Sequence, residues 1–321
     1  MQHSARHWFS DEEIARFTAR SDARALLALA SAWFPILAAA GLALWQPGPL
    51  TALLAVLVFG NRQLALAVLM HEAAHRTLAR RLELGELIGE WFAAGPIVQR
   101  MSLYRAHHRR HHRNTGTERD PDLRLATGYP VSAASLRRKL LRDLSGLTGL
   151  RQLIGSLAML CGYAEYDVSG DFRRDRRRLG LSRRLRAAVH GLAPTVLCLG
   201  TATLALAAFD AAWMMALWLA GYLSVYPVQL RIRALAEHAM TTDPGDALNN
   251  SRTTRTNAWG RMLLAPMYVN YHLEHHLLPG APCYRLPEIH AALAERGAFA
   301  GPVAVSQGYG EVLREAGSAP A

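Results

Sequence analysis

The stretch Tyr104 to Asp122, YRAHHRRHHRNTGTERDPD, holds His107, His108, His111 and His112 within six residues. On a helix His108, His111 and His112 stand at i, i+3 and i+4 and project from one face. Clustered imidazoles on one face suit a borderline transition metal such as iron, copper or zinc. The competing reading is a basic surface segment, because Arg105, Arg109, Arg110 and Arg113 surround them. Two further clusters favour the metal. His71 and His75 lie in HEAAH at i and i+4. His272, His275 and His276 lie in HLEHH with the geometry of the central group, and His238 stands apart in RALAEHA. A structural zinc takes about four ligands and a catalytic one about three from the protein. Nine imidazoles are too many for one ion and suit two.

The order HEAAH, then HHRRHH with TGTERDPD behind it, then NYHLEHHLLPGAPCYRLPEIH, resembles the membrane fatty acid desaturase family, which also includes hydroxylases and ketolases. Each box is weak alone; the ordered trio between apolar stretches is specific. The resemblance runs from about His71 to His290. It implies two iron ions held by His71, His75, His108, His111, His112, His238, His272, His275 and His276. His107 is the alternative first member of the central box; His108 is preferred because HxxHH then matches the third box. The resemblance further implies O₂ as co-substrate, a lipid or acyl substrate, and electrons from a separate ferredoxin or reductase. Some family members place an asparagine one turn before the lone histidine; here that position is Ala234, with Asn270 as a candidate substitute. Asp120 and Asp122 are placed to hold the far nitrogens of ligand imidazoles, or serve only as turn residues around Pro121. Glu237 and Glu274, each beside a box histidine, are further candidates for that role.

The boxes need a scaffold. The chain has 321 residues, 51% of them hydrophobic, with net charge +11 and 36 basic residues, all arginine except Lys139. Such a charge fits nucleic acid, but these arginines flank apolar runs, so the cytoplasmic face of a membrane explains them better. Uncharged Ala25–Trp45 matches the roughly 20 residues needed to cross the hydrocarbon. The other span candidates are Leu50–Met70, Leu185–Phe209 and Ala211–Leu230. Asn61, Arg62 and Gln63 fall within the second and must face the protein interior. Leu82–Val98 and Leu150–Tyr166 read as interfacial or re-entrant, and the arginine run RRDRRR as a solvated face beside anionic lipid.

The expected fold class is an all-α integral membrane protein, with four transmembrane helices and a cytosolic helical cap carrying the histidine boxes. Residues 1–24 form a cytosolic segment opened by a capping box at Ser10 and Glu13. Residues 25–290 form the membrane domain, and 291–321 a C-terminal helix and loose tail. The arginine bias places both termini and every box on the cytoplasmic side, in a bacterial inner membrane. The three cysteines are scattered and suggest no disulfide framework. The expected activity is O₂-dependent desaturation of an aliphatic chain, with a hydroxylase or ketolase as the near alternative. HEAAH also satisfies the HExxH zinc-protease pattern with Glu72 as base, but that leaves two boxes unexplained. A transporter or metal sensor would place its site nearer mid-membrane.

Overall fold

The computed structural model describes residues 4–168, 180–241, 243–301 and 303–320. His3 and the arginine run at 173–178 lie outside the described residues. Among the described residues three helices are long and apolar enough to cross a membrane: Asp22–Trp45, Pro49–His75 and Leu181–Ala207. The first and third turn large side chains outward: Phe34, Leu37, Leu185, Val189 and Leu204 are all exposed. That is the pattern of lipid-facing surface, since no second layer covers them. The Pro49–His75 helix is central and mostly buried. Pro49 opens it, where the missing N–H costs nothing, and Arg76 ends it in the left-handed region at φ 63°.

Asn61, Arg62 and Gln63 on this helix are buried, as the cost of exposing them to hydrocarbon requires. The Asn61 amide donates to the Leu263 carbonyl at 2.6 Å, and that of Gln63 to the Trp218 carbonyl at 3.0 Å. Arg62 reaches the Met262 carbonyl and the Asn61 side chain. The central helix crosses its neighbour Met214–Leu223 at a pair of glycines. A Cβ on Gly60 would lie 2.8 Å from the Gly221 carbonyl, and one on Gly221 would lie 2.7 Å from the Gly60 nitrogen. Only small residues let two helix backbones approach so closely.

The apolar stretch 211–230 is not one helix. It divides at Ser224 into Met214–Leu223 and Val225–His238. Pro227 lacks the N–H that would bond the Leu223 carbonyl, and its ring crowds that turn. Leu82–Val98 forms a short α-turn, a π-helical stretch over Ile88–Ala94 and a 3-10 turn, packed on the central helix. Leu147–Leu160 is a helix of 14 residues. The C-terminal segment is packed rather than loose. Val305–Ser306 pairs in parallel with Thr253–Thr254. The Tyr309–Ala316 helix buries Tyr309, Val312 and Ala316 against Val225–His238 and the Ala133–Leu144 helix. Its apolar residues at i, i+3 and i+7 supply the buried face, so this part of the expected loose tail is a packed helix.

Candidate metal centre

Four elements bring the boxes together. His71 and His75 occupy the last turn of the central helix. The Met101–Asn114 helix buries Met101, Tyr104, His107, His108 and His111 on one face and leaves Arg109 and Arg110 exposed. Its Arg105 fastens the two helices: the guanidinium donates to the carbonyls of Ala73 and Ala74, both at 3.0 Å, and pairs with Glu86 at 2.6 Å. Those carbonyls lie in the last turn of the helix, where a cation is favoured. His238 ends the Val225–His238 helix, and His272, His275 and His276 form the short His272–Leu277 helix.

The nine histidines fall into two groups. His71, His75, His108, His112 and His275 form one; His111, His238, His272 and His276 form the other. Within each, one nitrogen per ring lies within 4.8 Å of all the rest. In the first group, His112 Nε2 sits 3.0 Å from His108 Nε2 and 3.1 Å from His275 Nε2. In the second, His238 Nε2 sits 3.2 Å from His111 Nε2 and 2.9 Å from His272 Nε2, which is 3.1 Å from His276 Nε2.

These contacts test whether a metal fits. His111 gives its Nδ1 to the Asp120 carboxylate at 2.8 Å, and His238 gives its Nδ1 to the Asn250 carbonyl at 3.3 Å. Both partners are acceptors, so each Nδ1 carries the proton and each Nε2 presents a lone pair. Two lone pairs facing at 3.2 Å need a cation between them, either a proton or a metal ion. One proton cannot serve the whole run of facing nitrogens. Nitrogens about 2.0–2.1 Å from a shared ion stand roughly 2.9–3.4 Å apart, which is the spacing here. In the other group both ring nitrogens of His71 and Nε2 of His75 are buried without a hydrogen-bond partner among the described residues. Orphaned buried donors and acceptors are costly, and a metal satisfies one nitrogen of each ring it binds.

Burial, reinforced by neighbouring imidazoles, holds His108, His112, His272, His275 and His276 well below the usual histidine range, and His238 at about 3. Those rings stay neutral, as ligands must be. Burial opposes charge on His111 too, but the Asp120 hydrogen bond and nearby carboxylates outweigh it and raise its pKa.

The carboxylates divide by role. Asp120 orients His111. Asp122 lies 2.7 Å from Nε2 of His107, whose Nδ1 faces the Tyr166 carbonyl at 3.3 Å. Both nitrogens of His107 thus meet acceptors, and the ring stands outside both histidine groups. Asp122 also falls within the 4.8 Å grouping of His108 and His111. Burial disfavours its charge, yet the bond to His107 holds its pKa low. Glu237 approaches His272 Nδ1 at 3.6 Å and pairs with Arg233 at 2.5 Å. Glu274 turns the other way, to His290 Nδ1 at 2.5 Å and the Thr253 hydroxyl. Asn270 is buried, and its amide donates to the Thr254 carbonyl at 3.1 Å. Glu72, the base of the protease reading, accepts from the Thr77 hydroxyl at 3.1 Å and from the Cys283 N–H at 2.9 Å.

A cavity of about 630 Å³ opens onto His108, His111, His238 and His272. Its walls include Met70, Tyr104, Tyr226 and Leu230, and also Arg233 and Glu237. Sequence reasoning did not find Arg233 or this cavity. The i, i+4 spacing of Arg233 and Glu237 is a sequence signal for an ion pair, but only the fold shows what the pair faces.

Comparison with known proteins places the chain in a family. The profile of the fatty acid desaturase family matches residues 44–307. The chain belongs to the fatty acid desaturase family. A curated relative, dihydrorhizobitoxine desaturase of Bradyrhizobium elkanii, is 28% identical over 236 residues. That alignment takes in 73% of this chain and 65% of the relative, so the chain spans somewhat under two thirds of the relative's length.

Proposed function

We propose that this chain is a membrane-bound diiron desaturase that introduces a double bond into an aliphatic chain, using O₂ and electrons from a separate ferredoxin or reductase. The observation that carries this reading is the division of nine histidines into facing groups of five and four. Family membership and the relative's name favour desaturation over the protease, transporter and sensor readings.

In this reading His71, His75, His108, His112 and His275 hold one iron, and His111, His238, His272 and His276 the other. Bound iron supplies the activation of O₂ and the oxidising power to take hydrogen from an unactivated C–H bond. The substrate loses two hydrogens, the donor supplies two electrons and solvent two protons, so that O₂ leaves as two waters. The protein's own groups do the rest. Asp120 fixes the His111 tautomer, Glu237 faces the far nitrogen of His272, and Arg105 locks the first two boxes in register. Tyr104, stacked on His108 with centroids 5.1 Å apart, closes one wall of the cavity against water.

The membrane arrangement belongs to the same proposal. Met214–Leu223 with the first turns of Val225–His238 completes a fourth, broken crossing. The boxes and both ends of the chain then face the cytoplasm of a bacterial cell, as the arginine bias favours. Residues 25–290 constitute the catalytic membrane unit.

Elemental analysis and product mass test the reading together. Purified protein from iron-replete cells should hold close to two iron ions per chain. Its product should be lighter than the substrate by two hydrogens. One zinc with negligible iron, or an oxygenated product alone, would overturn it.

A further inference from the structure

The Val225–His238 helix carries a charged pair where a desaturase acting on a long apolar chain needs none. Arg233 and Glu237 sit in the cavity wall beside His238 and His272. The Arg233 side chain is only 13% exposed, and that exposure faces the cavity. Its Nε donates to Glu237 at 2.5 Å. Its two terminal nitrogens have no hydrogen-bond partner among the described residues. A partly satisfied guanidinium is expensive to bury, and one against methylene groups would be left so. A fork of two free N–H groups at the edge of a cavity matches a carboxylate.

The rest of the lining agrees. Arg124, Lys139, Arg142, Arg151 and Arg231 border the same cavity with Arg233, so cations outnumber the lining carboxylates Asp120, Asp122, Asp167 and Glu237. Arg231 is already bound to buried Asp143, with Nη2 at 3.0 Å from its Oδ1, which leaves Arg233 as the inner anchor. The volume of about 630 Å³ lies within the range of small-molecule sites. Met70, Tyr222, Tyr226 and Leu230 supply an apolar wall for a short aliphatic portion.

We infer that Arg233 binds a carboxylate of the substrate inside the cavity, and hence that this chain acts on a short aliphatic carboxylate whose anionic group enters with it. The inference rests on the desaturase reading for the reaction, but not for the binding. Arg233 selects and positions the substrate; it does not touch the reacting C–H bond.

The test is calorimetric titration of the intact, metal-loaded protein in detergent, without O₂, with carboxylates from butanoate to decanoate. The matching amides, methyl esters and alkyl phosphates are titrated beside them. One carboxylate length should bind about tenfold more tightly than its amide, the size expected for a charge-assisted hydrogen bond. Arg233→Gln combined with Glu237→Gln removes the charge pair without orphaning Glu237. That variant should bind carboxylate and amide alike, whereas Arg142→Gln at the rim should keep the preference. A parent protein that does not discriminate, that prefers the alkyl phosphate, or whose preference survives in the double variant overturns the inference. Carboxylate preference without any dehydrogenated product under O₂ and reductant would sink the desaturase reading and leave the binding inference standing. Turnover of palmitoyl lipid with no carboxylate preference would do the reverse.

Discussion

The backbone N–H of Cys283 donates to the carboxylate of Glu72 at 2.9 Å. The glutamate of HEAAH is therefore bound into the loop that follows the third box, with Thr77 on the same oxygen. It ties two distant segments together instead of standing ready to move a proton. Glu72→Gln keeps an oxygen acceptor for Cys283. Product formation should persist, with stability lower by about 1–2 kcal/mol. Complete loss of activity in a folded Glu72→Gln protein would restore the general-base reading.

The two histidine groups make separable predictions for metal content. His238→Ala and His272→Ala should each reduce iron towards one ion per chain and abolish product, with the helical circular dichroism retained. His75→Ala should do the same to the other ion. His107→Ala should keep both ions and lose about 1–3 kcal/mol of stability, because buried Asp122 loses its partner; His108→Ala should lose metal and product. Equal iron loss in His107→Ala and His108→Ala would contradict the division.

Acid should destabilise the protein. The folded-state pKa of His238 is about 3, and His108, His112, His272, His275 and His276 are also held low. The unfolded chain takes up protons near pH 6.5 that the folded chain refuses. Stability is therefore whole above that pH and falls towards pH 3, by up to about 1.4 kcal/mol per pH unit for each such group. The raised pKa of His111 opposes this in part. Metal binding steepens the loss, since protons compete for the same nitrogens. Thermal unfolding in detergent across this window checks it, and a flat profile would count against buried neutral rings.

Reporter fusions address the membrane arrangement. Fusions after Gln46 and after Asp210 should report the outside, and fusions near Arg119 and Gly280 the inside. An outside signal at Arg119 would place the central box across the bilayer from the proposed cytoplasmic side.

The glycine crossing should tolerate little. Gly221→Leu forces the central helix away from Met214–Leu223 and should cost about 1–3 kcal/mol or more. Gly41→Leu, with nothing near its Cβ position, should be close to neutral. Similar melting temperatures for both would show that the crossing is loose.

Much of this was legible in the sequence because the signals are local. Spacing within HEAAH, HHRRHH and HLEHH sets which rings share a helix face, and length with hydropathy marks Ala25–Trp45, Leu50–Met70 and Leu185–Phe209, each overlapping one of the three long apolar helices. The division of rings between two groups was not legible. Adjacent residues His111 and His112 go to different groups, as do His275 and His276, because neighbours on a helix point about 100° apart. The break at Ser224 goes unread: Pro227 lies inside the apolar run 211–230, whose length and composition alone suggest one span. Glu274 stands beside His275 in sequence yet faces His290, since only the fold determines which side of a short helix meets which neighbour.

Each histidine group closes with rings from the His272–Leu277 helix: His275 in one, His272 and His276 in the other. Neither can be complete while that helix is still being synthesised, however well the membrane helices have already inserted. Assembly of the centre is thus a late event in the life of each chain, a clasp fastened after the strap is threaded. On the diiron reading, cells short of iron would then accumulate inserted but unclasped protein.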